Sequence, residues 1–229
     1  MADKPQRLFT ATLRPLPAVV VMAIVLLVCL TLVPWAFTLL RPTPTAIIGA
    51  AQYLVLLAAV LPLMKWRAAS PEPHPTTLKR SAIDPVSVAM IATLVMFAIS
   101  IFTGWLAQIL GLVPQAALTP KLPVSAVMRW TEFLILVALG PAAEEIAFRG
   151  FLLGSLRHWR FGFWPAAVLT TMAWMLMHAP WSAYAVVVYF GLGMTLSWVL
   201  LRTGRTWPCV LAHASYNAVP AGMRLIYLS

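Results

Sequence analysis

The chain holds six carboxylates, Asp3, Glu72, Asp84, Glu132, Glu144 and Glu145, and two of them are neighbours within the apolar run Pro141-Ala-Ala-Glu-Glu-Ile-Ala-Phe-Arg-Gly150. A carboxylate in hydrocarbon is costly unless it is paired or put to use, so an intramembrane pair is by default a candidate functional site. On a helix Glu145 and Arg149 are four residues apart and share a face, where a local ion pair keeps both charged. Glu144 projects about 100° away from Glu145, with no local cation. That placement suits a base that takes a proton from water. The segment taken alone fits equally well a pair of glutamates that only fix helix packing through arginines.

Two histidines tip that balance. His178 closes one apolar run and His213 lies near the start of another. A single histidine of this kind is more often a hydrogen-bonded core residue, but two of them beside a glutamate pair point to a site. His213 and Asn217 are four residues apart, so imidazole and amide face one cavity. The other candidates carry less. His74 lies among prolines, His158 sits between Arg157 and Trp159, and Cys29 and Cys209 occupy apolar runs without the spacing of a metal knuckle or disulfide framework.

The elements that must position these groups are membrane helices. Of 229 residues 62% are hydrophobic and 10% charged, which a soluble domain could not cover with polar surface. The net charge of +10 is scattered between apolar runs, as cations stationed at a membrane surface are, so nucleic acid is not the expected partner and the lipid bilayer is. A hydrocarbon core needs about 20 helical residues. The expected architecture is therefore an all-α, polytopic helix bundle in a single membrane domain, with about seven spans at 16–40, 46–64, 85–112, 126–148 (with a polar continuation to 157), 163–179, 183–201 and 207–227. The fourth is interrupted at Gly140-Pro141 and the fifth is short. The first is too long for a signal-peptide core and remains as an anchor.

Residues 1–15 form a cytoplasmic N-terminal segment in this reading, and 65–84 a polar loop. Lys and Arg concentrate on alternate connections, which places the N-terminus inside and the C-terminus outside. Gly191, Gly193 and Ser197 offer a small-residue face for close helix packing. Trp35, Trp66, Trp130, Trp159, Trp164 and Trp207 stand near span ends, as interfacial anchors do. Counted from the inner helix ends, Glu145 lies at a depth of about 18 Å and His178 at about 21 Å, whereas His213 reaches only about 9 Å unless the preceding loop dips or the helices tilt.

Glu144-Glu-x-x-x-Arg149, an aromatic four residues before His178, and His213-x-x-x-Asn217 together resemble the three motifs of the CPBP (Abi) family, which includes the type II CAAX prenyl endopeptidases. The resemblance covers a catalytic core at 126–220. It implies that Glu144 activates water with help from His178, that His213 and Asn217 stabilise the oxyanion, and that Glu145 with Arg149 braces the site. Trp174 stands where the family usually has Phe, a change expected to alter the cavity wall and narrow the groove.

The implied function is an intramembrane endopeptidase acting on a membrane-tethered protein or peptide, and the expected location is the plasma (inner) membrane of a bacterium. Two rivals share the fold. One is a non-catalytic immunity or scaffold protein. The other is a zinc-dependent protease with Glu144, His178 and His213 as ligands. The absence of an HExxH helix and the amide at Asn217 favour the metal-free glutamate mechanism, with no cofactor.

Overall fold

A computed structural model describes residues 16–38, 45–68, 83–112, 125–157, 162–178, 180 and 182–227. Among them there is no strand, and seven helices account for nearly all of these residues. We number them α1 (16–38), α2 (Thr45–Ala68), α3 (Pro85–Ile109), α4 (Ala126–Leu156), α5 (Phe163–Met177), α6 (Ala183–Thr203) and α7 (Trp207–Tyr227). Five, α1 to α4 and α6, contain stretches long and apolar enough to cross a membrane. The two that fall short are α5, with 15 residues, and α7, which carries His213, Asn217 and Arg224. Both contribute to the site described below.

Local chemistry sets the helix ends. Asp84 accepts from the Ser87 amide at 3.0 Å and caps α3, with Pro85 at its first position. Ser125 and Ser182 cap α4 and α6 in the same way. Gly204, at φ 66°, supplies the left-handed residue that stops α6 and returns its N–H to the Leu200 carbonyl.

Helix α4 departs from the expected interruption at Gly140-Pro141. It runs unbroken from Ala126 to Leu156 because two π-helical stretches, Ile135–Leu139 and Ile146–Leu153, absorb the irregularity. In the first, the Gly140 N–H bonds Ile135 O, five residues back. Leu136 O would then look to residue 141, a proline with no N–H to give. Instead Asn217 Nδ2 on α7 donates to it at 2.9 Å. The polar loop also begins later than expected, since α2 continues through Lys65, Trp66 and Arg67 to Ala68. Residues 1–15 and 69–82, with His74, His158 and Trp159, lie outside the described residues.

Side-chain contacts orient the bundle. Glu132, Leu136 and Glu145 of α4 meet Arg224, Asn217 and His213 of α7, so the two run antiparallel. Thr93 and Ser100 of α3 meet Ala212 and Tyr216, which makes α3 parallel to α7. Glycines allow the close approaches: a Cβ on Gly191 would lie 3.1 Å from Ile99 Cγ2, and one on Gly193 only 2.5 Å from Thr171 Cγ2. The small face read from Gly191, Gly193 and Ser197 is thus a packing face. Cys29 and Cys209 are buried and free. Leu94, Ile101, Val127 and Leu176 point outward, 66–75% exposed, as a lipid-facing surface does.

Gly193→Ala is expected to lower stability by about 1–3 kcal/mol, the usual cost of overpacking. Gly222→Ala, whose Cβ would meet nothing within 4 Å, should instead gain up to about 1 kcal/mol from helix propensity. Thermal midpoints in detergent check both, and equal midpoints for the two variants would contradict the packing.

Candidate active site

Glu144 and Glu145 have 2% and 0% of their surface exposed, and successive positions on α4 send them to different partners. Glu145 Oε1 accepts from Arg149 Nη1 at 2.9 Å and from His213 Nδ1 at 3.0 Å. Arg149 Nη2 continues to the Gly193 carbonyl at 3.1 Å, which also accepts from Ser197 Oγ. The pair expected between Glu145 and Arg149 is present, and it extends to His213 and α6.

Glu144 receives a different set. Its Oε1 accepts from Tyr53 OH at 2.9 Å and its Oε2 from Trp174 Nε1 at 2.6 Å. His178 Nε2 stands 3.8 Å from Oε2, beyond direct hydrogen-bond reach and within reach through one water. His178 Nδ1 is 2.9 Å from the Trp174 carbonyl. A carbonyl only accepts, so Nδ1 carries the proton and the neutral ring presents the bare Nε2 lone pair toward Glu144. The same logic applies to His213, whose Nδ1 must donate to the Glu145 carboxylate, leaving its Nε2 for the cavity.

Trp174 does more than form a wall. Its ring is 1% exposed, and besides hydrogen-bonding Glu144 it stacks near His178 (centroids 4.4 Å) and under Arg149 (5.1 Å). A phenylalanine there would have no N–H for Oε2. Tyr53 was not legible as a site residue, because nothing in its spacing ties α2 to residue 144. It reaches Glu144 because Gly140 has no side chain: a Cβ there would lie 3.1 Å from Tyr53 Cζ. Tyr189, edge-on to Trp174 and 4.8 Å from the His178 ring, was missed for the same reason.

These groups line a cavity of about 420 Å³ whose walls include Tyr53, Glu144, Trp174, His178, His213 and Asn217. All four residues expected to do chemistry are therefore brought together, and the supporting three stand in or behind the wall. Asn217 has one of its two amide N–H groups committed to Leu136 O, so only the second is left for the cavity. The zinc alternative would draw on Glu144, His178 and His213. Among the described residues no group of three or more His, Cys, Asp or Glu side chains is disposed to hold a metal ion, and Glu144, its expected carboxylate ligand, already takes an N–H and an O–H donor, one on each oxygen.

Glu145→Ala should cost about 3–5 kcal/mol, as other broken buried pairs do, because it strands Arg149 and leaves His213 Nδ1–H without its acceptor. Glu145→Gln, which keeps an acceptor oxygen, should lose less. Folded yield and thermal midpoint in detergent measure the difference, and a wild-type midpoint for Glu145→Ala would remove the bracing role.

Residues 126–219 match the family model for type II CAAX prenyl endopeptidase Rce1-like proteins. The chain is also similar to YdiL, a candidate membrane peptidase of Bacillus subtilis (strain 168), at 24% identity over 156 residues, covering 65% of this chain and 62% of that protein's length. No solved structure matches. The matched stretch, about two fifths of the chain, carries Glu144, Glu145, Arg149, His178, His213 and Asn217.

Proposed function

We propose that the chain is an intramembrane endopeptidase that hydrolyses a peptide bond of a membrane-associated protein or peptide with water activated by Glu144. The observation that carries this reading is the gap between Glu144 Oε2 and His178 Nε2. It is 3.8 Å wide, opens on the cavity, and is bounded by a carboxylate oxygen and an imidazole lone pair, both able to accept a proton from one water.

In this mechanism the water gives a proton to Glu144 as its oxygen attacks the scissile carbonyl carbon. The tetrahedral oxyanion then accepts from His213 Nε2–H, with the ring as imidazolium, and from the second N–H of Asn217. Collapse breaks the C–N bond, and the proton held by Glu144 passes to the leaving amine. The buried charges support this assignment. Two carboxylates face one guanidinium, so a single imidazolium brings the set to neutrality, and Glu145 Oε1 already stands at His213 Nδ1 as its counter-ion. Tyr53 and Trp174 hold the Glu144 carboxylate in place. All of these steps use side chains of this chain, and none requires a Lewis acid.

Glu144→Gln should abolish cleavage while the protein stays folded, since the amide still accepts from one neighbour and no longer takes a proton. The check is incubation with membranes from the protein's own source, with new termini read by mass spectrometry. Identical termini from wild type and Glu144→Gln would end the endopeptidase reading. Activity should also survive exhaustive chelation, with purified active protein holding well under one zinc per chain. Loss on chelation, restored by zinc alone, would recast His178 and His213 as ligands.

A further inference from the structure

The cavity is lined from one end of the bundle only. α5 contributes its last turn and His178, α6 its first half from Tyr184 to Leu192, and α7 the stretch from His213 to Arg224. The opposite halves of these helices and of α4 are packed shut, with Phe148, Leu153, Thr171, Leu196, Val199 and Cys209 at 0% exposure. The floor is thus the buried Glu145–Arg149 layer. The mouth lies where α5 and α7 finish and α4 and α6 begin, beside the half-exposed Arg224–Glu132 ion pair.

Helix directions turn this into a statement about sides. The connections of three and five residues at 204–206 and 178–182 are too short to recross a membrane, and the contacts given above orient α3, α4 and α7. Tyr53 lies against Gly140 and Met64 against Gly150, so α2 runs parallel to α4, and the ends of α2, α4 and α6 and the starts of α3, α5 and α7 share the closed end. Among the described residues that end carries Lys65, Arg157, Arg202 and Arg205, against Arg129 and Arg224 at the mouth. Basic residues are retained on the cytoplasmic side.

We infer that the cavity opens on the side of the membrane away from the cytoplasm, so that its substrate is a membrane-proximal peptide segment exposed on that side. A lipid-modified protein tail in the cytoplasm has no path to Glu144. The orientation stands by itself, and the substrate class rests on the endopeptidase reading.

Cysteine labelling tests it on the full chain, with the native protein as the blank because Cys29 and Cys209 are buried. Ala185→Cys, half-buried on the cavity wall, and Ala183→Cys, exposed at the mouth, should react with a membrane-impermeant maleimide on spheroplasts as fully as after permeabilisation. Ile83→Cys, exposed at the closed end, should stay unlabelled until the membrane is opened. The reverse pattern overturns the orientation. Silence of Ala185→Cys while Ala183→Cys reacts overturns access from that side. Labelling needs no turnover, so a failed cleavage experiment leaves the orientation standing. Termini that depend on Glu144 but fall only in cytoplasmic segments would overturn the substrate class alone.

Discussion

Arg149 and Glu145 have side chains with no exposed surface, placed where the neighbouring solvent is hydrocarbon. Each charge alone in that setting would be prohibitive, and together they are tolerable only because the geometry supplies further partners. Their layer draws in three helices at once: α4 through Glu145 and Arg149, α6 through the Gly193 carbonyl, and α7 through His213. The close contact of α5 with α6 at Thr171 and Gly193 follows, since a side chain at 193 would crowd Arg149 Nη2 as well, at 3.3 Å. The charged layer is therefore a structural keystone and the floor of the cavity in one. Below it the bundle is solid, and above it there is room for substrate.

Adjacent glutamates acquire separate duties through this layering. Glu145 faces down into cations and is fixed. Glu144 faces the cavity, where its donors are a phenol and an indole that hold it without neutralising it. Both donors come from other helices, so the Glu144 carboxylate is positioned by the packing of α2 and α5 on α4. A set of aromatic groups with limited rotamers is well suited to that purpose, because each is locked by its own contacts.

Much of this was legible in residue order. Apolar runs located seven helices, and Glu144, Glu145, Arg149, His178, His213 and Asn217 stood out because ionisable or amide groups are scarce in such runs. Pairing at a spacing of four is a local property, which is why Glu145–Arg149 could be read directly. Tyr53, Tyr189 and the Trp174–Glu144 bond could not, since they depend on which faces of distant helices meet. His213, six residues into α7, meets Glu145, eleven residues from the end of α4, so these two helix ends stand at different levels, as the unequal depths read from the sequence required. The expected break at Gly140-Pro141 failed because proline removes one N–H, and the loss can be met from outside the helix.

That last repair has an evolutionary meaning. A π-helical stretch is what an α-helix becomes when one residue is inserted and the flanking turns keep their faces. Ile135–Leu139 sits between the half of α4 that meets Arg224 and the half that presents Glu144. Deleting one residue there would restore regular hydrogen bonding and turn everything after it by about 100° relative to everything before. Glu144 would leave the chamber and Glu145 would lose Arg149's neighbours on α6. The irregular turn is thus a reading-frame setting for the half of the helix that presents Glu144, and insertions or deletions between the two halves would move that carboxylate out of the cavity.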